Sequence, residues 1–122
     1  MKNYDSVLII DDEAEICFLL ANILKRKKLT SSVAHTLIDG YNKLKSETDI
    51  VFLDINLPDG SGLELLKKIR KEHPLLKIIM ISAYDGVNER KEAMQNGADA
   101  FISKPFNSDT VFHTIDELTV KT

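Results

Sequence analysis

No second cysteine accompanies Cys17, so no internal disulfide can form, and a lone thiol within an apolar helical stretch reads as a small buried side chain. That usage suits a reducing compartment, and a soluble cytoplasmic protein is the expectation. No apolar run reaches the roughly 20 residues a membrane span requires. The run that follows Tyr4 is broken by acids at Asp11, so neither a span nor a signal peptide is expected. Positive charge is not in excess either: 16 basic against 19 acidic side chains leave a net charge of −3. A chain of that balance has no broad attraction for phosphate backbones or anionic membranes, and nucleic acid is not an expected partner. The three histidines, His35, His73 and His113, fall in different segments and read as surface or satisfied residues, neither a metal site nor a phosphorelay histidine. No linker, low-complexity tract or repeat divides the 122 residues, of which 43% are hydrophobic. The expectation is one domain over 1–122, with its core at about 4–118 and no room for a second catalytic domain.

What the chain does have is a repeating βα pattern. Short apolar runs at Val7 to Ile10, Ser32 to Ala34, Ile50 to Leu53, Ile78 to Ile81 and Ala100 to Ile102 are each followed by a segment that suits a helix. The first, third and fourth runs are continuously apolar, as strands covered on both faces must be, and so should be central in a parallel sheet. Ile16, Leu20, Ile23 and Leu24 recur at helical spacing, as do Leu63, Leu66 and Ile69. A weaker helix is predicted over Leu37 to Ser46 because of Gly40. Another runs over Val87 to Asn96, stopped by Gly97, and a closing helix runs over Ser108 to Leu118. The predicted fold is α/β, a doubly wound five-stranded parallel sheet with strand order 2-1-3-4-5 and right-handed crossovers. In such sheets ligands bind at the carboxyl ends of the strands, where the winding reverses between the first and third.

Reading along that edge gives Asp11 and Asp12 after the first strand, Asp54 after the third, Ser82 after the fourth and Lys104 after the fifth. Asp11 and Asp12 alone would read as helix-capping acids, with Glu13 and Glu15 helping. Three carboxylates converging in one cleft repel one another unless a cation lies among them, and oxygen ligands suit Mg2+ or Mn2+. Beside a metal-bound carboxylate, Ser82 supplies a hydroxyl and Lys104 a fixed positive charge, the two things an acyl phosphate needs.

These blocks, Asp11-Asp12-Glu13, Leu53-Asp54-Ile55-Asn56-Leu57-Pro58-Asp59-Gly60-Ser61-Gly62, Ser82-Ala83 and Lys104-Pro105-Phe106, resemble the signatures of response-regulator receiver domains, over essentially Tyr4 to Leu118. The resemblance implies a flavodoxin-like fold and phosphorylation of Asp54. It also implies Mg2+ held by Asp11, Asp12 and Asp54 with the backbone carbonyl of Asn56, and Ser82 and Lys104 reading the phosphoryl group. It further implies a switch role for Phe101, for which plain packing is an equal reading, and a cis bond before Pro105. Asn56 and Tyr84 would rim the site and set the lifetime of the phosphorylated state. Asp59-Gly60-Ser61-Gly62 reads only as a turn into a helix. The donor would be a phosphohistidine on a sensor histidine kinase or phosphotransfer protein. The face of the fourth helix, fifth strand and fifth helix would carry the output and any homodimer contact. Such a domain catalyses its own phosphorylation without being a free-standing metabolic enzyme.

Three other readings share part of the pattern. A haloacid-dehalogenase-like phosphatase needs a second acid two residues beyond the nucleophile, where this chain has Asn56, and it carries a cap domain. A flavodoxin-like cofactor binder needs a phosphate loop rich in Ser, Thr and Gly where Asp11-Asp12-Glu13 would repel phosphate. A phosphorylation-independent interaction module would usually have lost the acids or the lysine.

Overall fold

A computed structural model describes residues 4–83 and 86–119. Along the chain it contains β1 (Ser6–Ile10), α1 (Ala14–Lys25), β2 (Thr30–Ala34), α2 (Leu37–Lys43), β3 (Ile50–Asp54), β4 (Asn56–Leu57), β5 (Gly60–Ser61), α3 (Gly62–Glu72), β6 (Lys77–Ser82), α4 (Val87–Gln95), β7 (Ala100–Ser103) and α5 (Ser108–Thr119). Five strands form one parallel sheet in the order β2-β1-β3-β6-β7. With the short β4-β5 pair set aside, this is the predicted 2-1-3-4-5 winding, with the reversal between β1 and β3.

The continuous apolar runs are explained by burial on both faces. Leu8, Ile10, Val51, Leu53, Ile78 and Met80 belong to one core layer with Leu63, Leu66 and Ile69 of α3. The alternating residues Val7, Ile9, Ile50, Phe52, Ile79 and Ile81 belong to the other, with Cys17, Leu20 and Leu24 of α1 and Val111 and Ile115 of α5. A period of two sends alternate side chains to opposite faces, so a strand sandwiched between helix layers must be apolar at every position. Between their polar end residues β1, β3 and β6 obey this, and β2, on the sheet edge, does not.

Several boundaries differ from the sequence reading. β2 begins at Thr30, two residues before the predicted Ser32, because a strand paired on one side tolerates exposed polar residues. The helix predicted to Ser46 ends at Lys43, where Leu44 turns to extended backbone. Gly40 is more than a weak point in it: a Cβ there would lie 2.6 Å from Ile10 Cδ1, so the glycine lets α2 pack directly on β1. The segment read as a simple turn contains the antiparallel hairpin β4-β5, with Gly60 at φ 144. The helix stop at Gly97 stands, at φ 106.

One long-range staple carries no local signal in the sequence. The Arg70 guanidinium, on α3, donates to the carbonyls of Gly97 (2.9 Å), His73 (3.3 Å), Pro74 (3.0 Å) and Leu76 (2.7 Å) and to Asp99 Oδ2 (2.7 Å). Asp99 Oδ2 also accepts the Ile78 N–H at 2.8 Å, so one arginine ties α3 to the starts of β6 and β7. Because the pair is part-buried and Asp99 keeps the Ile78 N–H, Arg70→Ala leaves several carbonyls without their donor rather than an unpaired acid, and a loss of about 1–2 kcal/mol is expected. Arg70→Lys should restore only part, since an ammonium cannot reproduce the fork. Urea unfolding of both variants checks this, and a lysine variant as stable as wild type would show that the fork geometry is unimportant.

Candidate functional site

The acidic end of the site is built by main-chain pairing carried one residue past each strand. Asp11 follows β1 and its N–H donates to Ala34 O at 3.0 Å, which fixes its backbone at the sheet edge. Its carboxylate is fully buried, and Oδ1 accepts the Glu13 N–H at 2.9 Å, turning the chain into α1. The Asp11 carbonyl meets Cys17 Sγ at 3.2 Å and His35 Nδ1 at 2.9 Å, so the strand end is held from two sides. Asp54 is the last residue of β3 and is 5% exposed. Lys104 follows β7, and its N–H donates to Ser82 O at 2.8 Å, continuing the β6–β7 ladder. The Lys104–Pro105 bond is cis, as the resemblance implies.

These strand ends converge on one ammonium. Lys104 Nζ lies 2.7 Å from Glu13 Oε1, 2.8 Å from Asp11 Oδ2 and 3.2 Å from Asp54 Oδ2, with its side chain 7% exposed. Asp12 is exposed at the rim, and a cleft of about 180 Å³ is lined by Asp12, Glu13, Asp54, Asn56, Ser82, Ala83 and Lys104. The fold thus brings Asp11, Asp12, Asp54, Asn56, Ser82 and Lys104 to one place. Tyr84 lies outside the described residues. Phe101 stands apart on β7, partly buried against the α3 side of the core, with the Arg90 guanidinium 4.6 Å over its ring. Arg90 also donates to the Phe101 carbonyl at 3.4 Å and to Ser103 Oγ at 3.1 Å. The histidines do not cluster: apart from the His35 contact, His113 pairs with Glu117 on the surface of α5, and His73 closes α3.

The electrostatics follow from burial and crowding. Burial, and then the charge of Asp11, push the Asp54 carboxyl up to about 6, partly opposed by Lys104 and by the Asn56 N–H. Burial pulls the Lys104 ammonium down, but the carboxylates of Asp11, Glu13 and Asp54 outweigh it and hold the group above its ordinary range. Burial and the nearby Asp11 raise the Cys17 thiol to about 11, an inert packing group as its setting in the sequence suggests.

The residues present fit a hard divalent cation. One carboxylate oxygen from each of Asp11, Asp12, Glu13 and Asp54 can be chosen so that all lie within 4.8 Å of one another. Asp11 Oδ2 is fully buried, and among the described residues the Lys104 ammonium at 2.8 Å is its one partner, an ion-pair contact. A buried carboxylate oxygen met only by an ion pair has lone pairs left for a cation, and an all-oxygen set suits Mg2+ or Mn2+.

Sequence reasoning assigned Glu13 only to the helix dipole, whereas it pairs with Lys104. It gave Asp59 no role, whereas its Oδ1 and Oδ2 accept the Leu37 and Ile38 N–H groups at 2.8 and 3.0 Å. Those bonds lower the Asp59 carboxyl.

Comparison with known proteins agrees with this geometry. A family model described as the response regulator receiver domain matches residues 7–116. The chain is 38% identical to the response regulator protein PilR of Pseudomonas aeruginosa, over 80% of this chain and 22% of that protein. It is 32% identical to the probable transcriptional regulatory protein TcrX of Mycobacterium tuberculosis, over 87% of this chain and 46% of that one. The chain thus spans less than half the length of these curated relatives. A CheY-like receiver domain protein from Methanospirillum hungatei superposes with a TM-score of 0.87 at 33% identity, covering 94% of this chain and 93% of that one. The receiver domain of NtrX from Brucella abortus gives 0.85 at 32%, covering 92% and 96%.

Proposed function

This chain belongs to the response regulator receiver domain family, and from that premise we propose that Asp54 is its phosphoacceptor, served by a divalent cation and by Ser82 and Lys104. One observation carries the reading: a single buried lysine gathers carboxylates from the ends of β1 and β3 around the deepest acid of a small open cleft. Above about pH 6 the Asp54 carboxylate is ionised and can act as a nucleophile. Its oxygen forms a bond to phosphorus as the P–N bond of a phosphohistidine donor breaks. The electron pair stays on the departing imidazole, which takes a proton from solvent. Asp11, Asp12, Asp54 and the Asn56 carbonyl would hold Mg2+ or Mn2+, whose charge offsets that of carboxylate and phosphate. Lys104, released in part from Asp54, supplies a charge-assisted donor to the phosphoryl oxygens, and Ser82 supplies a hydroxyl.

The domain promotes its own phosphorylation and is not a free-standing metabolic enzyme. A sensor histidine kinase or phosphotransfer protein is the donor in this reading, and the face of α4, β7 and α5 carries the output. What supports that face is its wiring: Lys104 adjoins Ser103, which Arg90 of α4 holds together with the Phe101 carbonyl. α4 itself buries only Ala93 among its described residues, so little packing opposes its movement. In the described residues no helix is long and apolar enough to cross a membrane.

Incubation with acetyl phosphate and Mg2+ should add one acid-labile phosphoryl group by intact mass, mapped to the Asp54 peptide and absent in Asp54→Asn. Undiminished labelling of that variant would place the acceptor elsewhere. Asp12→Ala should weaken Mg2+ binding about tenfold or more, since a charged ligand is lost. Calorimetric titration checks it, and unchanged affinity would remove Asp12 from the ligand set.

A further inference from the structure

The hairpin that carries Asn56 is tied down at both ends. At its base, the Gly62 N–H donates to Ile55 O at 2.6 Å, and Ser61 Oγ accepts the Leu63 N–H at 3.1 Å to start α3. At its tip, Asp59 reaches across to the start of α2 and accepts two of the helix's free N–H groups, those of Leu37 and Ile38. The contact is close throughout, since a Cβ on Gly60 would stand 3.1 Å from Leu37 Cδ1. One turn further along, α2 is seated on β1 through Gly40 and Ile10, the residue before Asp11. The helix is therefore a strut between the two main-chain segments that would supply cation ligands, the end of β1 and the β4-β5 hairpin, and Asp59 is its pin.

We propose that Asp59 is a positioning residue for the divalent-cation site, holding the β4-β5 hairpin against α2 so that Asn56 stays where its main-chain carbonyl can serve the cation. This rests on the cation reading above. Asp59 touches neither cation nor phosphoryl group, and it acts only through the backbone it restrains. Its loss frees the tip of a two-residue hairpin too short to hold its own register.

Mn2+ titration followed by the electron paramagnetic resonance of the free ion, at a temperature where circular dichroism shows every variant folded, tests it. Asp59→Ala should weaken Mn2+ binding about tenfold, the low end of what removing an outer support costs. Asp59→Asn removes the same charge and keeps one of the two tether acceptors, since its amide nitrogen cannot accept the second N–H, so it should weaken binding less than alanine does, by about threefold. Thr36→Ala removes the other cap of α2, where Thr36 Oγ1 accepts the Asp39 N–H at 3.0 Å, while leaving the tether in place. This variant should stay within about twofold of wild type. Hydrogen exchange of metal-free Asp59→Ala should show the Leu37 and Ile38 amides and the hairpin amides loosening together. Unchanged affinity in Asp59→Ala, or weakening in Asp59→Asn as large as in Asp59→Ala, overturns the proposal, the latter because a retained tether bond would then count for nothing beside the lost charge. A wild-type chain that binds no Mn2+ overturns the cation reading itself, and this inference with it.

Discussion

Gly62→Ala is expected to cost about 3 kcal/mol of stability, at the upper end of what overpacking usually costs, and to reduce Asp54 labelling about a hundredfold. The added Cβ would sit far inside contact distance of the Asp54 carbonyl oxygen, and 3.0 and 3.1 Å from the Asp54 carbonyl carbon and Ile55 Cα. All three are backbone atoms, so no side-chain rotation relieves the clash. Either β3 gives at Asp54, the proposed phosphoacceptor, or α3 lifts from its first turn, which Ser61 caps. Gly40→Ala makes a useful contrast, because its clash is with the Ile10 side chain, which has rotamers to yield. Thermal unfolding and the initial rate of acetyl-phosphate labelling read both effects. A Gly62→Ala protein with wild-type melting temperature and rate would mean that the β3–α3 junction adjusts freely.

The sheet was legible because burial on two faces writes itself into consecutive residues, and β1, β3 and β6 could be recognised as central from their runs alone. The edge was not: Thr30 and Ser31 look like loop until the pairing with Ser6 and Val7 is known. The site was legible for a topological reason. Once five parallel strands are placed in the 2-1-3-4-5 order, the residues after β1, β3, β6 and β7 must be neighbours, and chemistry at those positions can be read without coordinates. What escaped was everything that depends on side chains reaching between elements at large sequence separation. Arg70 to Asp99, Asp59 to the start of α2 and Glu13 to Lys104 are all of this kind. Each looks locally like an ordinary surface charge at a helix end or a turn, and only three-dimensional approach reveals its partner.

Asp54→Asn is expected to make the metal-free protein more stable at neutral pH, by about 1–3 kcal/mol, while abolishing phosphorylation. The folded protein holds the Asp54 carboxyl at about 6 against an ordinary 3.8, first through burial and then through the charge of Asp11. An acid whose proton is held more tightly in the folded state binds more protons folded than unfolded between those two values. The contribution of Asp54 to stability must then fall as pH rises from about 4 to about 6, and stay low above that, where both states are ionised. Over that interval, at about 1.36 kcal/mol per pH unit, the burden approaches 3 kcal/mol. Lys104 keeps Asp11 and Glu13 as partners in the variant, so the amide does not strand it. The stability of the asparagine protein relative to wild type should therefore rise between about pH 4 and 6, measured by urea unfolding in chelator. Mg2+ should reverse the order: it stabilises the wild type by mass action through a full ligand set, and the asparagine variant less. A difference between variant and wild type that stays constant or shrinks across that interval would show that Asp54 is not the carboxylate that folding strains.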